Sequence, residues 1–247
     1  MLSIIIPTLN EEKYLPFLLE SIKKQKFTPF RNSQFLTGFT DYEIIVADAN
    51  SQDRTLEIAR SFGCKVVSGG LPARGRNQGA KVAQGEIFLF TDADNIFPSE
   101  NFLENLIGEF KKRNLGIATF PIYPKGKKID KILYGICNNL VNLTQYPAAF
   151  NSILVKREIF EKVGGFNEEI KIGEDQYFVK MAKKYGKFGF IKTEPVLTSP
   201  RRLEKEGRLK TYLKYYLIAS IHFFLVGGRI KSDFYRYRFG YRLKNKK

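Results

Sequence analysis

The sequence predicts an α/β fold built on a mainly parallel sheet flanked by helices. Three observations predict it. Short apolar runs rich in β-branched residues alternate with segments of helical periodicity, the pattern of βαβ units. The chain has 247 residues, 43 % hydrophobic and 27 % charged, which suits one large domain with its own core or one domain with a short appendage. Polar clusters at Pro7–Glu12, Asp48–Ser51 and Asp92–Asp94 each follow directly on a strand, where open α/β sheets gather their ligand groups. Long disordered tracts are excluded by composition. Cys64 and Cys137 stand far apart with no CxxC or Cys/His grouping, so neither a disulfide scaffold nor a zinc site is expected, and a reducing compartment is.

The elements follow in order. Leu2–Ile6 is a buried strand closed by Pro7, with no basic segment ahead of it, so no signal peptide is expected. Glu11–Lys24 repeats Leu15, Leu18, Leu19 and Ile22 at helical spacing, and 26–41 is a loop. Tyr42–Ala47 is a strand, Asp53–Phe62 a helix, Cys64–Val67 a strand, Arg74–Ala83 a helix and Glu86–Phe90 a strand. Ser99–Lys112 is a helix with Phe102, Leu103, Leu106, Ile107 and Phe110 inward, and Gly116–Phe120 a strand. Asp130–Leu143 reads as a helix, Phe150–Val155 as a strand, and a short helix then ends at Gly164-Gly165. Asp175–Tyr185 is a helix with Gly186 as its stop.

Several residue groups carry chemistry. Asp92 and Asp94 sit at i and i+2 beyond a strand, so both carboxylates project the same way and suit Mg²⁺ or Mn²⁺ together with phosphate oxygens. The same residues also suit a simple turn. Asp48 can accept from a base or ribose, with Ser51 or Asp53 capping the helix behind it. Arg74-Gly75-Arg76 fits either a phosphate-facing turn opening a helix or a solvated basic turn, and it lacks the ending of a P-loop. Glu174 and Asp175 open a helix, where acids favour the dipole and where Asp175 can serve as a general base. Arg201 and Arg202 can clamp a diphosphate or stay exposed, and position alone does not decide. His222 is the sole histidine and lies in an apolar stretch, so histidine-based acid–base chemistry is not expected.

Four of these segments, taken in order, resemble the motifs of family 2 glycosyltransferases: IIIPTLNEE (4–12), VADANSQDRT (46–55), RGRNQGAKVAQGEIFLFTDAD (74–94) and FNSILVKREIFEKVGGFNEEIKIGEDQYFVKMA (150–182). The resemblance covers roughly residues 1–202. It implies a GT-A, Rossmann-like fold, and an inverting, non-processive transfer of sugar from a nucleoside diphosphate to a lipid-linked or small glycan acceptor. By position, it implies that Pro7, Thr8, Asn10 and Glu12 line the nucleotide pocket and that Asp48 contacts the base. Arg76 would lie near base or phosphate, Asp92 near ribose or sugar, and Asp94 on the metal, Mg²⁺ or Mn²⁺. Asp175, beside Glu174, would be the base, with Arg201 and Arg202 at the phosphates. The sequence departs from the family at Ala49, where many relatives have a second aspartate, and it has no Trp, so the Gln-x-x-Arg-Trp motif of processive relatives is absent. Two other readings stay open: a non-catalytic protein of the same fold that binds nucleotide sugars, and a sugar-phosphate nucleotidyltransferase. The second is disfavoured because Pro7–Glu12 replaces the Gly-rich, Arg-containing loop such enzymes put after the first strand.

The division expected is a catalytic domain over 1–210, donor half 1–95 and acceptor half 96–210, and a basic, aromatic-rich appendage over 211–247. The net charge is +16, and residues 200–247 alone hold fourteen Lys/Arg against three Asp/Glu. Tyr215–Gly228 is uncharged; as a helix it would span about 21 Å, short of the roughly 30 Å hydrocarbon core. That suits a segment lying on an anionic membrane surface from the cytoplasmic side, or a core helix with a solvated basic end. No nucleic-acid motif accompanies it, so nucleic acid is not an expected partner.

Overall fold

The computed structural model describes residues 1–26, 42–144, 152–170 and 173–212. The first half alternates as expected: β1 (Leu2–Thr8), α1 (Leu15–Lys23), β2 (Tyr42–Asp48), α2 (Thr55–Ser61), β3 (Lys65–Ser68), α3 (Pro72–Val82) and β4 (Ile87–Thr91). Then come β5 (Asn95–Ile96), α4 (Phe102–Lys112), β6 (Ile117–Thr119), β7 (Ile122–Pro124) and α5 (Lys128–Thr144). The described chain continues through β8 (Ser152–Lys156), α6 (Arg157–Val163), α7 (Glu174–Ala182), β9 (Phe188–Phe190), β10 (Val196–Thr198), α8 (Arg201–Glu206) and α9 (Arg208–Thr211).

The main sheet has the order β3-β2-β1-β4-β8-β6-β9. Its pairs are parallel except those of β8, which runs antiparallel to both β4 and β6. The donor and acceptor halves drawn at 95/96 therefore share one sheet, joined at β4–β8. A small second sheet, β5-β10-β7, lies beside it. Strand alternation splits the core into two layers. Leu2, Ile4 and Ile6 pack with α1 and α4 on one face, while Ile5 and Ile45 pack with α3, α6 and α7 on the other. The five inward residues expected of α4 are all buried.

Four departures have physical reasons. β1 does not stop at Pro7 but pairs with β2 through Thr8, while its ladder with β4 ends at Ile5. Thr8 presents its carbonyl to Ala49 on the β2 side. Alternation then turns the backbone of Pro7, which has no N–H, toward β4, and the sheet opens there. Secondly, α3 begins at Pro72, so Arg74-Gly75-Arg76 lies inside a helix rather than in a turn opening one. Proline suits that first turn, where its missing N–H costs nothing. Thirdly, α7 ends at Ala182, and Gly186 is not its left-handed stop. Gly186 instead lies backbone to backbone with Gly116, where an added Cβ would come within 3.1 Å of the Gly116 Cα. Fourthly, β5, β7, β9 and β10 are two or three residues long, too short for a readable period.

The loop at 26–41 (Lys26 apart), Phe150 and Asn151, and the appendage beyond Tyr212, with Tyr215–Gly228 and His222, lie outside the described residues. No helix among the described residues is long and apolar enough to cross a membrane.

Helix α3 seats its Gly75 and Gly79, one turn apart, directly on β1. A Cβ at Gly75 would meet the Pro7 ring at 3.1 Å, and one at Gly79 would collide with Ile5. A Gly79→Val variant therefore loses about 3 kcal/mol of stability through overpacking, to be read from denaturant unfolding; an unchanged midpoint would contradict this seating.

Candidate active site

Parallel pairing of β2, β1 and β4 brings their carboxyl ends side by side. The loops beyond β1 and β2 are zipped together. Asp48, buried, accepts from the Thr8 hydroxyl at 2.9 Å, the Ser51 hydroxyl at 2.5 Å and the Ser51 N–H at 2.8 Å. Ser51 is thus a partner of Asp48, not a helix cap. Asn10, with φ of 55°, donates its N–H to the Ser51 hydroxyl and accepts from the Gln52 N–H, both at 2.8 Å. Glu12 accepts from the Arg54 N–H at 3.2 Å, and its own N–H reaches Asp53 at 3.1 Å. Asp53 also accepts from the Thr55 N–H at 3.0 Å, but it lies one residue ahead of the α2 N-cap, Arg54, whose side chain makes no capping bond.

A second group forms around Arg76, only 3 % exposed. Its guanidinium donates to Glu174 at 2.7 Å and Asp92 at 3.1 Å, and lies over the Phe166 ring. Burial alone would lower its basicity, but Asp92, Glu174 and Asp175 outweigh that and hold it above its ordinary value. The Gly-Gly-Phe motif sets this geometry. Gly164 and Gly165 both have φ near the left-handed region, at 81° and 82°. They turn Phe166 into an aromatic stack with Phe178 of α7, ring centroids 4.2 Å apart. Asn77 of α3 then clamps the Phe166 backbone, accepting its N–H at 2.8 Å and donating to its carbonyl at 2.9 Å. One helix, α3, thereby fixes Arg76 and the segment leading to Glu174 and Asp175 together. Burial, then the neighbouring Glu174, pushes the Asp175 carboxyl well above its ordinary range, despite Arg76.

The third group joins segments 190 positions apart. Arg201, at the start of α8, forms a two-pronged pair with Glu11 at 2.7 and 2.8 Å. Its Nε lies 3.2 Å from Asp94. The backbone reinforces this, since the Ser199 N–H donates to the Asp94 carbonyl at 3.1 Å. Burial pushes the Glu11 carboxyl up to about 7, although Arg201 opposes it. Asp94 is likewise raised by burial against the pull of Arg201 and Arg202. Arg201 itself is held up by Asp94 and Glu11 against burial. Burial thus outweighs the attraction of Arg201 at both acids, which share its one guanidinium, while the two acids together outweigh burial at Arg201.

The structure therefore gathers Asp92, Asp94, Glu174, Asp175, Arg76 and Arg201 at the carboxyl end of β4, with Arg202 near Asp94. Thr8 and Asp48 bond each other at the end of β1, Pro7 is buried beneath α3, and Asn10 and Glu12 brace the loop before α2. Sequence reasoning named Glu12 and missed Glu11, the member of the pair that meets Arg201. Its partner stands 190 positions away, and no local signal in the sequence pairs the two.

The acids outnumber the guanidinium groups here, five (Glu11, Asp92, Asp94, Glu174, Asp175) to three. Such an excess of hard oxygen donors fits a divalent cation. Among the described residues no three acidic, histidine or cysteine side chains group around one point. Asp92 and Asp94 would thus supply two ligands and leave the others to water or substrate.

Comparison with known proteins gives the same direction. The family profile described as glycosyl transferase family 2 matches residues 3–168. The poly(ribitol-phosphate) β-N-acetylglucosaminyltransferase TarS of Staphylococcus aureus is 28 % identical over 199 residues, covering 73 % of this chain and 32 % of that protein. A poly(ribitol-phosphate) β-glucosyltransferase of Bacillus spizizenii is 29 % identical over 196 residues, covering 73 % of this chain and 29 % of that one. The chain thus spans about a third of the length of these curated relatives. Among solved structures, S. aureus TarS 1–349 in complex with UDP-GlcNAc matches with a TM-score of 0.63 at 24 % identity, over 80 % of this chain and 58 % of that one. The mannosyltransferase PcManGT of Pyrobaculum calidifontis, with GDP-Man and Mn²⁺, matches with a TM-score of 0.66 at 20 % identity, over 90 % of this chain and 64 % of that one. These likenesses establish the GT-A fold.

The charge arrangement has a pH signature. A carboxyl raised in the folded state stabilises fully below its unfolded value and loses that contribution as pH rises through its folded value. For Glu11 the loss runs from about 4.5 to about 7. The thermal midpoint should therefore fall between about pH 5 and about pH 8, and fall less in Glu11→Gln; an equal fall in both proteins would contradict the assignment.

Proposed function

The chain belongs to glycosyl transferase family 2, and from that premise we propose that it is an inverting glycosyltransferase using a nucleoside-diphosphate sugar and a lipid-linked or small glycan acceptor. The observation that carries this reading is the meeting of Asp92 and Asp94 with Asp175 and the two shared arginines at one sheet edge. The relatives support the substrate classes. They include proteins named for transfer to poly(ribitol phosphate), and one of Methanococcus voltae named for a dolichyl-linked acceptor.

In this reading residues 1–95 hold the donor and 96–210 the acceptor. Pro7, Thr8, Asn10 and Glu12 shape the nucleotide pocket, the last two by bracing its loop, and Asp48 closes its floor. Asp94 and Asp92 would hold Mg²⁺ or Mn²⁺, which would neutralise charge on the diphosphate. Arg201 turns from Glu11 and Asp94 to the phosphates when these arrive, with Arg202 beside it, and stabilises the charge that grows on the leaving group. Arg76 keeps Asp92 and Glu174 apart and in place. Asp175, its proton affinity raised by burial and by Glu174, takes the proton of the acceptor hydroxyl as that oxygen attacks the anomeric carbon. An acceptor that is already a phosphate needs no such base, and Asp175 then only orients it.

The test is thermal stabilisation by UDP, GDP, CDP and dTDP, each with and without Mn²⁺, in wild type and Asp94→Ala. A rise with one base that depends on Mn²⁺ and disappears in the variant is expected. No rise with any nucleotide would overturn the donor site, and a rise without turnover of any donor sugar would favour a non-catalytic binding protein.

A further inference from the structure

Helix α5 packs on β7, with Asn138 donating to the Ile122 carbonyl at 3.2 Å. Its outer face is unusual for a water-facing helix. Ile129, Ile132, Ile136 and Leu143 are 50 %, 50 %, 53 % and 77 % exposed. At 100° per residue they fall within about 60° of one another, a single apolar stripe. Exposed Leu209, on the neighbouring α9, adds a further apolar group. Scattered apolar residues on a surface mean little, but a continuous stripe marks a contact.

The charges around the stripe say what it contacts. Lys127, Lys128 and Lys131 are exposed at the first turn of α5. The sole acidic residue of the helix, Asp130, is 0 % exposed. It accepts from the Arg208 guanidinium at 3.0 and 3.1 Å and from the Tyr212 hydroxyl at 3.1 Å. The exposed residues of α5 are therefore apolar, cationic or, at Asn139, neutral, with no exposed acid, and the exposed Glu204 of α8 lies 4.0 Å from Arg208. A protein partner would need an acidic rim around an apolar groove. An anionic bilayer supplies both features on one surface, with head groups for the lysines and acyl chains for the isoleucines.

We propose that the outer face of α5 is a docking surface for an anionic lipid bilayer. Its placement is useful to the reaction as read above, and this one consequence rests on the acceptor being lipid-linked. The Lys125 N–H donates to the Thr198 carbonyl at 2.8 Å, and the adjoining Ser199 N–H donates to the Asp94 carbonyl at 3.1 Å. The cationic start of α5 thus follows within a few residues of the backbone that holds Asp94. A bilayer under α5 would bring a lipid-linked acceptor to that edge of the sheet.

The experiment uses the full chain with an environment-sensitive fluorophore on Ile132→Cys, in a background of Cys64→Ala and Cys137→Ser. Phosphatidylcholine vesicles are compared with vesicles that also contain phosphatidylglycerol. The proposal expects a blue shift with the anionic vesicles only. Vesicle co-sedimentation should fall about tenfold or more in Ile132→Glu/Ile136→Glu, with nucleotide stabilisation unchanged. Three results would overturn it. Co-sedimentation without a spectral shift would assign binding to another part of the chain. Emission already blue in buffer would mean that the chain itself or a second copy covers the stripe. Absence of co-sedimentation would remove the bilayer altogether. None of these outcomes bears on the donor site, which the nucleotide measurement tests separately.

Discussion

The site is organised by a shortage of positive charge. Five carboxyl groups converge at the carboxyl end of β4, and the two arginines that contact them directly are each divided between acids. Buried ion pairs repay their desolvation only when geometry is good and each charge is matched. Here the cations are over-matched and the anions under-matched. Burial first, and the neighbouring acids after it, raise the proton affinity of Glu11, Asp94 and Asp175 against the pull of the arginines. Raised proton affinity lets protons offset part of this negative charge, which a metal and a diphosphate complex would otherwise change.

The backbone maintains this imbalance. Pro7 ends the β1–β4 ladder and opens the sheet, and Gly75 and Gly79 let α3 lie close enough on β1 to carry Arg76 inward. Asn77, one residue along the same helix, clamps Phe166 and so sets the start of α7 relative to Arg76. Glu11 and Arg201 close the other side, tying the loop after β1 to α8. Arg76 is locked by burial. Arg201 is the more exposed of the two, which suits a group that exchanges partners when substrate enters.

Much of this was legible in the sequence because local chemistry carries it. The alternation of apolar strands and periodic helices gave the doubly flanked sheet. The spacing of Asp92 and Asp94, and the acids opening α7, located four of the five carboxyl groups. The pairings across the chain were not legible. Nothing local distinguishes Glu11 from Glu12, since the choice depends on Arg201 arriving from 190 positions away. The role of Gly186 was misread because glycine serves both helix stops and close backbone contacts, and only the proximity of Gly116 separates the two. The exposed stripe on α5 was hidden for a related reason: its periodicity is that of an ordinary core helix, and only packing reveals which face is left outside.

The central claim is that protons hold the place of a cation among these carboxyl groups. Calorimetric titration of Mn²⁺ together with the nucleoside diphosphate that stabilises the protein, at neutral pH in buffers of different ionisation enthalpy, tests it most directly. The account predicts that binding releases protons, and that Glu11→Gln lowers the number released. Binding with no dependence on the buffer, or with the same dependence in Glu11→Gln, would contradict it.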